Sequence, residues 1–448
     1  MYMLSDRIGR ILNELKMYTR SGRTDIDSFK MREGNFKYEE VKNIDESLWQ
    51  PFMKGDRWGG KDKHYWFSTT FEVPEKLDGK TIVLEVSTGR ENDWDALNPQ
   101  FFAYINGKLI QGLDVNHREV ILSQQAAKGE VYSIDLHAYS GMKDGLVSLN
   151  CCVSAVEKEV EKLYYDISVP YEVAKLLDKE DKRRIDILRC LNNSINYIDF
   201  RKPFSKEFKE SIIKADEFLE KEFYAKYCGH EDITAVCVGH THIDVAWLWT
   251  LAQTREKAAR SFSTVLHLME QYPEYVFMSS QPQLYKFVKQ DFPELYDGIK
   301  KRVEEGRWEP EGAMWLEADC NISSGESLVR QLLFGIRFFE KEFGKRSKIL
   351  WLPDVFGYSA ALPQLLKKSG IDYFMTTKIS WNEYNKLPYD TFMWKGIDGT
   401  EILTHFITTQ DLNSTSHCTT YNGNLVPTQV MGAWKGYQQK DMNDEVLI

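Results

Sequence analysis

The sequence predicts a multidomain chain in which a β-sandwich of the jelly-roll kind is followed by a helical connector and then by an α/β domain. Three observations carry this. Short runs rich in β-formers succeed one another between Trp66 and Val156, with no long helical pattern between them. The pattern turns helical between Pro170 and Tyr227. After Glu231, short apolar strands alternate with amphipathic helices, as parallel βαβ units require. The divisions fall at residues 1–45 for an N-terminal helical segment, 46–168 for the sandwich, 169–230 for the connector and 231–448 for the α/β domain.

In chain order, Ile8, Ile11, Leu12 and Leu15 recur at helical spacing behind Ser5, which is placed to cap that helix. The expected strands then run over Trp66–Val73, Thr81–Val86, Phe101–Ile105, Lys108–Gly112, Val120–Ser123, Val131–Leu136 and Leu146–Val156. Asn106-Gly107, between two of them, is a strong hairpin signal because both residues tolerate positive φ. Trp49, Trp58, Trp66 and Trp94 are read as sandwich core and rim, with a sugar-binding face as the alternative. In the connector, Phe208, Ile212, Ile213, Phe218 and Leu219 keep the helical period, and the charge run from Asp178 to Arg184 reads as a solvated face. Further on, strands are expected at Ile233–Val238, Tyr275–Ser279, Lys348–Leu352 and Tyr373–Thr376, and helices at Thr250–Tyr272 and Ala360–Ser369, the latter stopped by Gly370.

Composition narrows the function. Lys and Arg number 57 against 67 Asp and Glu, a net charge of −10, which argues against a nucleic-acid partner needing a cationic footprint. A hydrophobic content of 42% is ample for buried cores. No uninterrupted apolar stretch is long enough for a transmembrane helix, and Asp6, Arg7 and Arg10 stand where a signal peptide would need an apolar run. Seven scattered cysteines, without a CxxC pair, read as reduced thiols of a cytoplasmic protein.

The densest chemical signal is Gly239-His240-Thr-His242-Ile-Asp244-Val-Ala-Trp247-Leu-Trp249-Thr250, directly after a β-branched strand and opening a helix. If the extended backbone continues, His240, His242 and Asp244 project to one side. Imidazole and carboxylate donors at the C-terminal end of a strand suit a divalent metal, at the edge of the sheet where α/β active sites sit. Core histidines with a capping Asp would explain one such residue but not three on one face. Trp351-Leu-Pro353-Asp354-Val-Phe-Gly357-Tyr-Ser places a second aspartate at a strand end of the same type, with a helix N-cap as its alternative reading.

These two motifs, with Gly306-Arg-Trp308-Glu-Pro-Glu-Gly312-Ala-Met-Trp315-Leu-Glu317-Ala-Asp319-Cys-Asn321 between them, resemble glycoside hydrolase family 38, the class II α-mannosidases. The likeness is to the cytosolic and vacuolar branch, in which a β-sandwich precedes the catalytic domain; Trp49-Gln-Pro-Phe and Arg57-Trp58-Gly59 fit that branch. The resemblance implies a β/α-barrel-like catalytic domain that is incomplete in this chain. It implies His242 and Asp244 as ligands of one divalent metal, zinc or alternatively cobalt. Asp354 would be both ligand and catalytic nucleophile, and Trp247 an aromatic wall for the sugar. His240 would stand behind the ligands, and Trp315, Glu317 and Asp319 would line the substrate site. The implied partner is a mannose-containing oligosaccharide, hydrolysed with retention through a glycosyl-aspartate. A homo-oligomer is compatible with the sequence, which does not decide the oligomeric state. Ser323 and Glu326 form an [ST]-x-x-E capping box and need no further explanation.

In relatives a fourth ligand, a histidine, and the acid/base carboxylate lie downstream of any match here, so the 448-residue chain is expected to be inactive or nearly so by itself. His405 reads as a strand histidine, and neither it nor His417 sits in a matching context. Two rival readings remain. A metal-dependent amidohydrolase or deacetylase on a (β/α)-barrel would want further His ligands, and only His267, His405 and His417 follow the motif. A non-catalytic carbohydrate-binding protein would keep its sugar affinity after chelation and after Asp354→Asn.

Overall fold

The computed structural model describes residues 2–91, 93–94, 98–230, 234–380, 384–385, 387–407, 425–436 and 445–447, so His417 lies outside the described residues. The chain divides into two compact units, Met1–His230 and Glu231–Ile448.

The first unit opens with helix α1 (Tyr2–Tyr18), then β1 (Arg20–Ile26), β2 (Ser28–Glu33), the single turn α2 (Tyr38–Val41), β3 (Gln50–Met53), β4 (Arg57–Gly59) and β5 (His64–Glu72). There follow β6 (Ile82–Ser87), β7 (Gln100–Ile105), β8 (Lys108–Leu113), β9 (Glu119–Ser123), β10 (Val131–Tyr139), β11 (Leu146–Ser148) and β12 (Asn150–Val156). These strands form a four-stranded sheet, β1-β12-β6-β9, and a six-stranded sheet, β3-β2-β5-β10-β7-β8, with β11 and β4 paired separately. The two larger sheets share one apolar core: Leu84, Val86, Val153 and Ala155 from the first meet Phe67, Phe101, Ile134 and Leu136 from the second. The strands are buried along much of their length, β7 from Phe101 to Ile105 and β12 from Cys151 to Ala155. The β7–β8 hairpin turns at Asn106 and Gly107 with φ of 49° and 83°.

Trp58 is 2% exposed and packs edge-on against Tyr65, Phe67 and Phe101. Trp66 is 1% exposed, stacks on His137 and donates its indole N–H to the Phe36 carbonyl. Neither tryptophan is open to a sugar, which removes the alternative of a binding face built on all four.

The limit at 46 falls between β2 and β3, because the charged sequences of β1 and β2 hide their strand character. The limit at 168 falls within α3 (Lys158–Leu176), which runs through Pro170 and is followed by α4 (Lys182–Ile195), α5 (Lys206–Leu219) and α6 (Ala225–Tyr227). Helix α1 does not form a unit of its own: Ile8, Leu12 and Leu15 pack with Val160, Leu163, Ile167, Leu191, Phe208 and Ile212 in one helical core. Ser5 lies inside α1, not at its N-cap, and its hydroxyl meets the Tyr171 hydroxyl at 3.1 Å.

The second unit begins with β13 (Thr234–Val236), β14 (Gly239–His240), α7 (Leu251–Gln271), β15 (Phe277–Ser279), α8 (Pro282–Asp291), α9 (Pro293–Glu304) and β16 (Trp308–Pro310). It continues with α10 (Gly325–Phe343), β17 (Ile349–Leu352), α11 (Leu362–Lys368), β18 (Tyr373–Thr376), β19 (Thr391–Lys395), β20 (Glu401–Phe406), α12 (Pro427–Gly436) and β21 (Glu445–Leu447). Strands β14, β15 and β16 run parallel, as do β17, β18 and β20, and a parallel bridge between Gly312 and Leu350 continues one set into the other. Strand β19 is antiparallel to β20, and β13 pairs with β21. The C-terminal ends of the parallel strands therefore share one edge. None of the described helices is long and apolar enough to cross a membrane.

Candidate active site

Four loops leave that edge and meet. The first follows β14. Thr250 caps α7 by accepting a hydrogen bond from the Gln253 amide, and the Trp249 indole and Thr254 hydroxyl both donate to the Asp244 carbonyl. The loop from His242 to Trp249 is thus tied to the first turn of α7, and it contains Ala246 at φ 78°, a conformation that costs a non-glycine residue about 1 kcal/mol or more. The second loop follows β17, where Tyr358 donates to the Leu352 and Val355 carbonyls or pairs with the Thr376 hydroxyl, holding Asp354 between them. Helix α11 begins only at Leu362, so Asp354 is not a helix cap. The third and fourth loops, after β16 and β18, supply Glu317 and Lys378.

The side chains of His242, Asp244 and Asp354 converge, with one donor atom of each lying within 4.8 Å of the others. His242 Nε2 is 3.2 Å from Asp244 Oδ1 and 3.2 Å from Asp354 Oδ2. Its Nδ1 is 3.0 Å from Glu317 Oε1. Lys378, only 4% exposed, places Nζ 2.9 Å from Asp354 Oδ1. Burial opposes charge on the His242 ring, yet Glu317, Asp244 and Asp354 together raise its pKa well above the usual histidine value. Burial likewise pushes the Asp354 carboxyl up, but hydrogen bonds from His242 and Lys378 outweigh it and hold the pKa below the ordinary aspartate range. One imidazole nitrogen and two carboxylates, all partly buried, make a donor set that fits a divalent cation.

His240 does not join this group. Only Gly239–His240 is extended, and beyond it the chain leaves the strand, so the two histidines do not share a face. The His240 ring lies against Trp351, donates from Nδ1 to the Met278 carbonyl at 3.1 Å and accepts from the Trp351 indole at 3.3 Å. Burial depresses its pKa to about 4. Trp247 is 56% exposed and meets Trp249 edge-on. Trp315 donates to Gln283 and packs on Phe338, lining an open groove of about 460 Å³ with Lys286, Arg330 and Phe334. Asp319 accepts the amides of Asn321 and Ile322 and so shapes its own turn. The expected capping box does not form: Ser324, one residue on, caps α10 by accepting from the Ser327 amide, and Glu326 pairs with Arg330 instead.

Lys378 was missed by sequence reading, although it lies two residues past the strand expected at Tyr373–Thr376, the same placement as Asp354 after its own strand. Among the described residues one other carboxylate group converges, Asp166, Asp216 and Glu220, and Lys162 already bridges all three.

Residues 232–448 match the glycosyl hydrolases family 38 N-terminal domain, and residues 24–143 match the α-mannosidase jelly roll domain. The chain belongs to glycoside hydrolase family 38. It is similar to α-mannosidase G of Dictyostelium discoideum, 38% identical over 80% of this chain and 34% of that one. It is 33% identical to human α-mannosidase 2C1 over 82% of this chain and 36% of that one. Against the α-mannosidase of Saccharomyces cerevisiae the identity is 41% over 48% of this chain and 21% of that one. A crystal structure of an α-mannosidase from Enterococcus faecalis covers 48% of this chain and 24% of its own at 20% identity and a TM-score of 0.40. This family 38 chain therefore spans about a third of the length of the first two curated relatives.

Proposed function

We propose that the chain is part of a metal-dependent retaining α-mannosidase that removes terminal α-mannose from oligosaccharides, in the cytoplasm. The observation that carries this is the convergence of His242, Asp244 and Asp354 in a chain whose relatives are α-mannosidases. In this reading the second unit is a β/α-barrel-like catalytic domain, and His242, Asp244 and Asp354 hold one divalent ion, zinc foremost and cobalt as the alternative. When bound, the ion supplies Lewis-acid binding of sugar hydroxyls.

Asp354 does the covalent work. A carboxylate oxygen bonds to the anomeric carbon as the glycosidic C–O bond breaks, and the leaving oxygen takes a proton from an acid carboxyl. Water then attacks the anomeric carbon of the glycosyl ester, giving its proton back to that acid group's carboxylate, and the ester C–O bond breaks to return Asp354 as carboxylate. Lys378 holds Oδ1, which keeps the group ionised and aimed. Trp247, with its indole exposed beside the triad's loop, gives the pyranose an apolar wall. Trp315 is placed in a groove of its own, where it would meet a more distant part of an oligosaccharide.

The test uses the product of the complete reading frame. An aryl α-mannoside is expected to be turned over with one equivalent of metal bound, and Asp354→Ala is expected to lower turnover by several orders of magnitude. A fluorinated mannosyl substrate is expected to label Asp354. Normal turnover by Asp354→Ala refutes the reading; activity on an acetylated or cyclic amide substrate, and none on the mannoside, favours an amidohydrolase.

A further inference from the structure

We propose that Glu317 is the positioning residue that orients His242 as a metal ligand, an inference that rests on the metal-site reading above. The Nδ1 of His242 lies 3.0 Å from Glu317 Oε1, and the two side chains are 10% and 6% exposed. An ionised carboxylate only accepts, so the bond fixes a proton on Nδ1 and leaves Nε2, which faces Asp244 and Asp354, as the nitrogen that binds a metal once its own proton is lost.

Glu317 is itself held in place. Ser280 Oγ and Gln281 Nε2 both approach Oε1 at 3.4 Å, and the same Gln281 amide donates to the Ile243 carbonyl at 3.0 Å. The loop after β15 therefore grips both the carboxylate and the backbone next to His242. Gln281 and Ala313, which flank this arrangement, sit at φ of 63° and 64°, so local packing overrides backbone preference here.

The other oxygen, Oε2, is buried without a hydrogen-bond partner. A carboxylate oxygen left this way costs about 1–3 kcal/mol, so a residue serving only to brace the loop would lose nothing as glutamine. What glutamine would lack is the negative charge that makes the His242 ring a better donor.

The experiment titrates the product of the complete reading frame with Zn²⁺ against a chelating dye. Wild type is expected to bind one ion tightly and His242→Ala to lose it; equal binding by His242→Ala would refute the metal site itself. Given that site, Glu317→Gln is expected to bind Zn²⁺ about tenfold to a hundredfold more weakly than wild type. Affinity within twofold of wild type overturns the proposal and leaves the metal site standing. Should Glu317→Gln not fold, ¹⁵N-histidine NMR of the zinc-loaded wild type decides, with His242→Gln assigning the signal. A proton on Nδ1 and metal on Nε2 is the expected pattern, and the reverse overturns the proposal.

Discussion

Replacing Lys378 by Met removes the cation behind Asp354 and leaves a chain of nearly equal volume. The magnitude follows from burial. Lys378 is 4% exposed, and Asp354, 2.9 Å away, is 19% exposed. Deleting one partner of a buried ion pair costs about 3–5 kcal/mol, because the remaining charge is left without compensation. Asp354 keeps His242 at 3.2 Å and some contact with solvent, which places the loss near the lower end, about 3 kcal/mol. The two compact units do not guarantee a single unfolding transition, so the readout must belong to the second unit. Hydrogen exchange of the β17–β18 ladder, Ile349–Leu352 with Tyr373–Thr376, meets that need. In the metal-free chain those amides are expected to exchange about a hundredfold faster in Lys378→Met. The double variant with Asp354→Asn is expected to recover most of the protection, since it removes the stranded charge. Exchange within threefold of wild type in the single variant, or no recovery in the double, refutes the view that Lys378 and Asp354 are a coupled buried pair.

Zinc binding at neutral pH is expected to release about one proton, because the His242 ring is protonated among three carboxylates and must give up its Nε2 proton to bind an ion; calorimetry in buffers of differing ionisation enthalpy measures it, and no buffer dependence would contradict it. Stability of the second unit is expected to fall as pH drops from about 6.5 toward 4. His240 and His405, both depressed to about 4 by burial, stay neutral when folded, so unfolding takes up to about two protons in that window, while His242 is charged in both states there. A pH-independent or rising stability in denaturant titrations would be the contrary result. Gly335→Ala is expected to cost about 1–3 kcal/mol and to weaken zinc binding. A Cβ there would stand 2.0 Å from the Ala313 carbonyl oxygen and 2.8 Å from the Trp315 nitrogen, forcing α10 off the loop that carries Glu317; an unchanged melting temperature would show that the contact is slack. Trp58→Ala is expected to destabilise the sandwich by about 3–5 kcal/mol, read from its thermal midpoint, since the ring is 2% exposed among Tyr65, Phe67 and Phe101.

The sequence by itself determined what local periodicity and turn chemistry encode. The runs from Trp66 to Val156 became strands because their β-branched and aromatic residues suit a pleated, packed sheet, and Asn106-Gly107 became their hairpin. Asp244 and Asp354 were legible as site residues because each lies within a few residues of a strand's C-terminal end, which places it at the edge of a parallel sheet. Only the tertiary structure decided which of two histidines two positions apart faces the aspartates. That choice depends on where β14 stops, and on Met278 and Trp351 taking His240 into the sheet. It also decided that α1 shares a core with α3, α4 and α5, and that Glu317 and Lys378 brace the triad. Contacts between residues this far apart along the chain leave no periodic trace in it; they exist only once packing has brought the strand ends together.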